Sequence, residues 1–312
     1  MSGDRKPLSS YRAPRYWPVW LGMGLLWLVC KLPHRTALAV GRVLGRVAHA
    51  RGGSRLAIVR RNVELCFPDL SPDERDDLAH EHFKALGMAL IEMGLGRWAS
   101  TPHLQSIATI KGIENVKEAL ATGKGVILLS AHFTTLEISG RLLATEIPPY
   151  DAVFRKNRSD FMTELQRSGR EKSADATIEK RDIKKMVRSL RDNRAVWYAP
   201  DQSYNRKGSE VVPFFGVPSM HATATSTLAR LGDALVVPFF PRRLPDSTYE
   251  FVLLPALENF PSGDPVADTE RYVEILEDHI RTCPEQYFWI HRKFKDLPDG
   301  YPDYYSDLDA LK

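Results

Sequence analysis

Apolar and polar positions along the chain alternate in blocks that are typical of an α/β protein. Short apolar runs bounded by Gly, Ser or charged residues predict buried strands at 125–130, 151–155, 195–199, 235–240 and 249–254. Helical spacing of apolar residues predicts helices at 114–121, 134–145, 159–169, 181–193, 222–232 and 267–282. Strands that alternate with helices predict a mixed or parallel central sheet flanked by helices. No linker divides 105–295, so we expect one α/β domain over residues 34–312.

The residues before this body are predicted to be helical. Apolar residues in 34–50 recur at helical spacing with arginines on the other side, which is typical of a helix on a membrane surface or, equally, of a core helix. Residues 56–66 form a similar segment that ends before Pro68. The sequence Ser71-Pro-Asp-Glu74 is a helix start, and the helix is predicted to continue to about residue 95.

An uncharged segment, Tyr16–Cys30, lies close to the N-terminus between Arg15 and Lys31. It is shorter than the roughly 20 residues that span a bilayer, but its aromatic residues suit the membrane interface and the flanking cations can snorkel. We expect residues 1–33 to be a basic segment with a single-pass membrane-anchor helix. A cleaved signal peptide and a buried core helix are the alternatives. The arginines that follow argue against export and predict a cytoplasmic body.

Charge is distributed unevenly along the chain. Residues 1–61 carry twelve Lys or Arg and one acid, Asp4, for a net charge of +11. The whole chain carries +4, so the remaining residues carry −7. A basic N-terminal arm on a mildly acidic body indicates contact with anionic lipid or nucleic acid. The apolar segment within the arm favours lipid.

His132 and Glu137 follow the buried strand predicted at 125–130. Ligand sites in open α/β sheets form at the carboxyl ends of strands. Five helical residues turn the chain by about 500°, so two helical side chains would not face each other. We therefore expect His132 in the turn and Glu137 in the first helical turn. The segment predicts a catalytic His–Glu pair or a capping box between Thr134 and Glu137, and the two are compatible.

Two further strand ends carry candidate site residues. Arg155 lies among Lys156, Asn157 and Arg158, a cluster that suits a phosphate or a developing oxyanion, or that forms a solvated loop. Asp201 follows the strand at 195–199 and is a site carboxylate or a turn residue.

Other segments restrict the chemistry. The apolar segment 212–218 lines an acyl-chain pocket or, by the preferred interpretation, packs in the core. Aromatic and cationic residues mix in 286–295, where an interfacial or core strand is favoured over nucleic-acid binding. The sequence lacks a phosphate-binding Gly loop, a nucleophile elbow and a zinc motif, and its three cysteines lack metal or disulfide spacing. We therefore expect no metal and a direct transfer reaction with His132 as general base.

Several motifs together resemble one family. They are Pro14–Trp17, Trp20–Gly22, Arg61–Pro68, Ala131–Glu137, Val196–Asp201, Val237–Phe239, Pro241–Arg243, Pro284–Tyr287 and His291–Arg292. The chain resembles the lipid A biosynthesis late acyltransferases of Gram-negative inner membranes, in particular the lauroyl type, over nearly its whole length. This resemblance implies a glycerolipid-acyltransferase-like fold and a single-pass inner-membrane protein with its active site on the cytoplasmic side.

The resemblance also implies a reaction. A fatty acyl group, lauroyl for this type, would pass from acyl carrier protein to a hydroxyl of a 3-hydroxyacyl chain on Kdo2-lipid IVA. The partners would be acyl carrier protein, this lipid A precursor and inner-membrane lipids, without nucleic acid. The carrier's phosphopantetheine would be the only prosthetic group.

The resemblance assigns roles to four residues. His132 would take the hydroxyl proton and Glu137 would hold the imidazole tautomer. Arg155 would bind a substrate phosphate or the oxyanion, and Asp201 matches a substrate-site residue of uncertain role. The alternatives are a glycerolipid acyltransferase, which typically carries Asp in place of Glu137, and a non-catalytic membrane-tethered lipid-binding protein.

Overall fold

A computed structural model describes residues 5–147, 150–205 and 207–309 of the chain. Residues 1–4 of the predicted anchor segment, and residues 148, 149, 206 and 310–312 of the predicted domain, lie outside the described residues. The strands are β1 (Ala108–Lys111), β2 (Val126–Leu129), β3 (Tyr150–Phe154), β4 (Ala176–Glu179), β5 (Ala195–Tyr198), β6 (Ser209–Phe214), β7 (Val217–Ala222), β8 (Leu235–Arg243) and β9 (Tyr249–Leu253).

Helices precede the sheet and connect its strands. They are α1 (Trp17–Val29), α2 (His34–Arg51), α3 (Ser54–Cys66), α4 (Pro72–Trp98), α5 (Thr101–Ser106), α6 (Ile113–Ala121), α7 (Leu136–Leu143), α8 (Asp160–Arg170), α9 (Ile183–Arg191), α10 (Ala224–Gly232), α11 (Pro265–Thr282) and α12 (Ser306–Asp309). The predicted start of α4 is confirmed, because Ser71 and Glu74 form a reciprocal capping box.

Seven strands form the central sheet in the order β1-β9-β8-β2-β5-β3-β4. Neighbouring strands are parallel except for β8 and β9, which are antiparallel, so the predicted mixed sheet flanked by helices is confirmed. Strands β6 and β7 form a separate hairpin. That hairpin contains the apolar segment 212–218, and Phe214 within it is fully buried in the core.

The central strand β2 is buried on both faces, as its continuous apolar sequence predicts. Successive side chains of a strand point to opposite faces of the sheet. Ile127 and Leu129 accordingly join one core cluster with α9, α10 and α11, while Val126 and Leu128 join another with α4, α6 and α7. This sandwich fixes the position of the strand end from which His132 emerges.

Small residues bring α2 and α4 unusually close together. A Cβ atom added to Gly87 would lie 2.0 Å from the carbonyl oxygen of Gly41. A Cβ atom added to Gly45 would lie 2.1 Å from the carbonyl oxygen of Phe83. The small face of α2 is therefore a core face. The other side of α2 exposes Val43, Leu44 and Val47.

Helix α1 lies along α4 and is only 13 residues long. Leu26 is buried between the two helices, where it contacts the position of Gly94. Trp17, Leu21 and Leu25 are each more than half exposed. Across the described parts of the chain, we find no helix with both the length and the apolarity to cross a bilayer.

Candidate active site

His132 and Asp201 form a hydrogen-bonded pair at one edge of the sheet. They meet because β2 and β5 are parallel neighbours with Leu129 beside Tyr198, so the two chains leave the sheet together. The ring nitrogen Nδ1 of His132 lies 2.6 Å from Asp201 Oδ1. The backbone N–H of His132 donates to Oδ2 of the same carboxylate at 3.1 Å. Both the position and the orientation of the imidazole are therefore fixed by Asp201.

Asp201 is an ionised carboxylate in a buried position. Its side chain is 1% exposed, and Tyr287 Oη donates to Oδ2 at 3.1 Å. Burial raises the pKa of this carboxyl, but His132 and Lys293 outweigh burial and lower the pKa to about 2. An ionised partner at Nδ1 keeps the proton of a neutral imidazole on that nitrogen. The other ring nitrogen, Nε2, is then the basic one.

His132 lines a cavity of about 570 Å³ together with several cationic side chains. Arg155, Lys180, Arg181 and Lys207 contribute to its wall, and none of the described residues lining it is a carboxylate. Trp197, Tyr198 and Leu228 supply apolar surface. The structure thus brings Arg155 and His132 to one cavity. A positively charged wall of this kind favours an anionic ligand.

Glu137 has a different partner from the one that the resemblance implies. It lies in the first turn of α7, as predicted, and its Oε1 accepts from Arg170 Nη2 at 2.6 Å. Arg170 Nη1 also donates to the carbonyl of Val153 at 3.1 Å. The structure assigns the contact with His132 Nδ1 to Asp201 rather than to Glu137.

The capping box predicted between Thr134 and Glu137 is wrong. Helix α7 begins at Leu136 with Thr135 at its N-cap, and the cap side chain makes no hydrogen bond. The start is displaced because the backbone N–H of Thr134 donates to the carbonyl of Gln286 at 2.8 Å, which holds Thr134 outside the helix.

A second, apolar cavity of about 230 Å³ adjoins the first. Met23, Leu26 and Met93 of the N-terminal helices line it. Gln166, Arg170 and Trp197 line both cavities. Glu137 also lines the apolar cavity, so the Glu137–Arg170 ion pair lies where the two cavities adjoin.

Sequence reasoning missed three residues of this region. Arg170 lies in the last turn of α8, and no pattern connects it with Glu137. Tyr287 falls within one of the motifs that carry the resemblance, which was the available signal. Lys293, whose Nζ lies 2.6 Å from the carbonyl oxygen of Asp201, falls in the mixed aromatic and cationic segment.

The arrangement suits proton transfer at a bound hydroxyl. It places a base, His132, beside cations that can stabilise a negative charge. The cysteines do not supply a thiolate, because burial raises the pKa of Cys30 to about 11, that of Cys283 to about 12 and that of Cys66 well above its usual value. Among the described residues, we find no group of three His, Cys, Asp or Glu side chains arranged to hold a metal ion.

Comparison with known proteins agrees with the motifs. The family model for bacterial lipid A biosynthesis acyltransferases matches residues 5–296. The lipid A biosynthesis lauroyltransferase of Escherichia coli K12 is 37% identical over 295 residues, which cover 94% of this chain and 96% of that protein. The palmitoleoyltransferase of the same organism is 36% identical over 289 residues, with 92% and 94% coverage. Its myristoyltransferase is 26% identical over 294 residues, with 93% and 91% coverage.

These matches span almost the whole chain, and they include the segments that carry His132, Arg155 and Asp201. The resemblance inferred from the motifs is therefore confirmed. The chain is an enzyme, an acyltransferase, and it belongs to the bacterial lipid A biosynthesis acyltransferase family.

Proposed function

We propose that this enzyme transfers a lauroyl group from acyl carrier protein to a hydroxyl of a 3-hydroxyacyl chain on Kdo2-lipid IVA. The observation that carries the proposal is the His132–Asp201 pair at the wall of a cavity lined by cations. The lauroyl group is chosen because the relative named for it is 37% identical to this chain. The palmitoleoyl relative is almost as similar, so the acyl group is part of the test.

In the proposed reaction, His132 Nε2 takes the proton of the acceptor hydroxyl while the hydroxyl oxygen attacks the thioester carbonyl. The new C–O bond forms and the C–S bond breaks. The imidazolium returns its proton to the phosphopantetheine thiolate, which leaves as the thiol. Asp201 stabilises the imidazolium through the 2.6 Å contact at Nδ1. Arg155 stabilises the tetrahedral oxyanion or binds a substrate phosphate.

The two cavities suit the two chemical parts of these substrates. The phosphates and acidic sugars of the acceptor, and the phosphopantetheine phosphate of the donor, are anions that the larger, basic cavity would attract. A fatty acyl chain suits the smaller cavity, whose wall includes Met23, Leu26 and Met93. Since Trp197 lines both, one acylated substrate can extend from one cavity into the other.

Glu137 is proposed to act through Arg170. The carboxylate holds the guanidinium of Arg170, which in turn donates to the carbonyl of Val153. Val153 lies in β3, two residues before Arg155. The ion pair therefore fixes the end of the strand from which Arg155 enters the basic cavity.

The protein is proposed to bind the cytoplasmic face of the inner membrane through α1 and α2, rather than to span it. Both helices pack on α4 and expose apolar side chains, and Arg12, Arg15, Lys31, Arg35 and Arg46 are exposed around them. Apolar side chains with neighbouring cations are typical of helices that lie in the interface of an anionic membrane. With 13 residues, α1 is shorter than the roughly 20 that a span requires.

The test is transfer by the purified full-length enzyme in mixed micelles. Lauroyl-, myristoyl- and palmitoleoyl-carrier protein are supplied separately with Kdo2-lipid IVA, and the acylated lipid is quantified by mass spectrometry. We expect lauroyl transfer to be fastest. We expect His132→Ala to abolish it, and His103→Ala, at an exposed histidine, to leave it unchanged.

Other results would assign another function. Acylation of lysophosphatidate in place of Kdo2-lipid IVA would identify a glycerolipid acyltransferase. Binding of Kdo2-lipid IVA without any product would identify a non-catalytic lipid-binding protein. Full activity in His132→Ala would overturn the mechanism.

A further inference from the structure

A buried cation, Lys293, lies directly behind the catalytic pair. Its side chain is 4% exposed, and Nζ donates to the backbone carbonyl of Asp201 at 2.6 Å. Nζ also lies 3.2 Å from Nε2 of His221 and 4.5 Å from the ring centroid of Phe214. These contacts tie the segment after β5 to the segment that follows α11 and to the β6–β7 hairpin.

This ammonium is not explained by a gain in folding stability. Burial lowers the pKa of Lys293 to about 8, and the attraction of Asp201 only partly offsets that effect. A pKa below its ordinary value of 10.5 means that the folded state binds this proton more weakly than the unfolded state does. The cost to folding is complete below pH 8 and disappears as the pH rises through 10.5. At neutral pH the charge therefore opposes folding.

We propose that Lys293 is a positioning residue for acyl transfer, which holds the backbone of Asp201 in place and balances the charge of its carboxylate beside His132. The proposal rests on the general-base role proposed for the His132–Asp201 pair. Lys293 does not touch that pair's reacting nitrogen. It acts through Asp201, whose carbonyl and carboxylate it influences separately, by a hydrogen bond and by charge.

The environment of Lys293 contains few other charges. His221 stays neutral, because burial lowers its pKa well below the usual value. The titratable groups that face Lys293 from the surrounding elements are Cys66 of α3, Asp201 after β5, His221 of β7, Glu277 of α11, and Tyr305 near the C-terminal helix. Asp201 is the first of the charges that favour the protonated amine, which supports a coupling between these two residues.

The test compares Lys293→Met with wild type in the micellar assay and in thermal unfolding. Methionine keeps an unbranched side chain of nearly the same length and removes the charge and the donor. We expect kcat/KM at neutral pH to fall about tenfold or more, because a displaced catalytic group loses its geometry. We expect Tm to stay unchanged or to rise. The acidic limb of the kcat/KM profile should move to higher pH, since the His132–Asp201 pair then binds a proton more tightly.

Two further variants keep this test decisive. Phe214→Leu disturbs the packing around Lys293 but keeps its charge, so it should lower Tm without moving the acidic limb. Lys293→Gln keeps a donor without the charge, and should move the limb as Lys293→Met does. If both Lys293 variants fail to fold, the role of Lys293 is purely structural and the proposal is overturned. The same conclusion follows if activity falls in proportion to Tm while the acidic limb of the pH profile stays in place.

His132→Ala, measured in parallel, separates the two proposals. If His132→Ala is inactive and Lys293→Met retains wild-type kcat/KM and its acidic limb, only the inference about Lys293 fails. If His132→Ala remains active, the proposed mechanism fails with it.

Discussion

Asp201 and Glu137 are two site carboxylates with different hydrogen-bond partners. Asp201 accepts from the ring and the backbone of His132, whereas Glu137 accepts from Arg170. A carboxylate at Nδ1 is the arrangement by which a general-base histidine is held in its active tautomer. The two residues therefore contribute to activity in different ways, and their neutral amide variants distinguish them.

We expect Asp201→Asn to lower kcat by roughly 10³–10⁴, because an amide no longer fixes the tautomer or stabilises the imidazolium. Glu137→Gln should act mainly on stability, lowering it by about 1–3 kcal/mol, since it leaves the largely buried Arg170 without its charge partner, and through the position of Arg155 it should lower kcat by less than Asp201→Asn does. The cost is below that of a fully buried pair because Glu137 is 30% exposed. Steady-state kinetics and thermal unfolding measure both effects. A Glu137→Gln enzyme that melts normally and loses 10²-fold or more in kcat would restore the direct role that the resemblance implies.

Arg155 provides a second residue-scale prediction. Lysine keeps its charge but cannot reproduce two parallel N–H donors. We expect Arg155→Lys to lower kcat by roughly 10²–10³, the usual effect of losing one oxyanion donor, with an unchanged Tm because the side chain is exposed. Lys156→Arg is the matched control at the neighbouring exposed position, and should behave as wild type. Near-normal kinetics of Arg155→Lys would reassign Arg155 to the protein surface.

The sequence predicted the individual site residues better than their pairing. His132 and Asp201 were both placed at strand ends, since each follows a short buried strand. Their contact depends on β2 lying beside β5, and the periodicity of a strand does not specify its neighbour. Glu137 and Arg170 are 33 residues apart in the chain, and the packing of α7 against α8 alone brings them together.

At the scale of elements, the predicted strands that were confirmed are those with predominantly apolar sequences. The strands that were missed from the central sheet, β1 and β4, lie at its two edges. In β1, partly buried and exposed positions alternate over only four residues. Edge strands are commonly short and polar, which limits their pairing with other chains, and for the same reason they leave little signal in the sequence.

The glycine contacts between α2 and α4 make a sharp element-scale prediction. Gly87→Ala should lower stability by about 1–3 kcal/mol, because its Cβ would lie 2.0 Å from a backbone carbonyl that cannot turn aside. Gly22→Ala in α1 is the matched control, since its Cβ would meet no atom within 4 Å. That control should stabilise by at most about 1 kcal/mol through helix propensity. Equal Tm changes in the two variants would contradict the close approach of α2 and α4. Chemical denaturation measures both.

At the scale of the whole molecule, α1 and α2 both pack on α4 and both expose apolar side chains. Leu21→Gln together with Leu25→Gln should weaken binding to anionic vesicles, with little change in Tm because both side chains are exposed. Co-sedimentation of the full-length protein with vesicles measures the effect. Tyr301→Gln, an exposed apolar position outside these helices, is the control. Undiminished vesicle binding by the double variant would show that another surface meets the lipid.

Acid sensitivity is a second property of the whole molecule. Burial lowers the pKa of His82 and of His279 to about 4. The unfolded chain binds protons at these sites near pH 6.5, so stability is complete above that pH and falls as the pH drops toward 4. Each histidine contributes at most roughly 3 kcal/mol to this loss. Below pH 3.8, protonation of Asp201 adds to it.

We therefore expect Tm to fall steeply between pH 7 and pH 4.5. In His279→Phe the ring that stacks on Phe240 is retained, with the centroids 4.9 Å apart in the wild type, and the decrease in Tm should be smaller. Calorimetry across this pH range measures both. An identical decrease in His279→Phe would remove His279 from the explanation.

The register of β2 and β5 determines how the site tolerates changes in chain length. Leu129 lies beside Tyr198, and His132 and Asp201 follow these residues by three positions each. Two chain segments of equal length therefore connect the base and its carboxylate to one pair of neighbouring strand residues. One residue inserted into either segment lengthens it by about 3.4 Å, more than the 2.6 Å that separates the two side chains. Variation among homologous enzymes that preserve this chemistry should therefore include substitutions in these segments, but insertions and deletions only as matched changes in both.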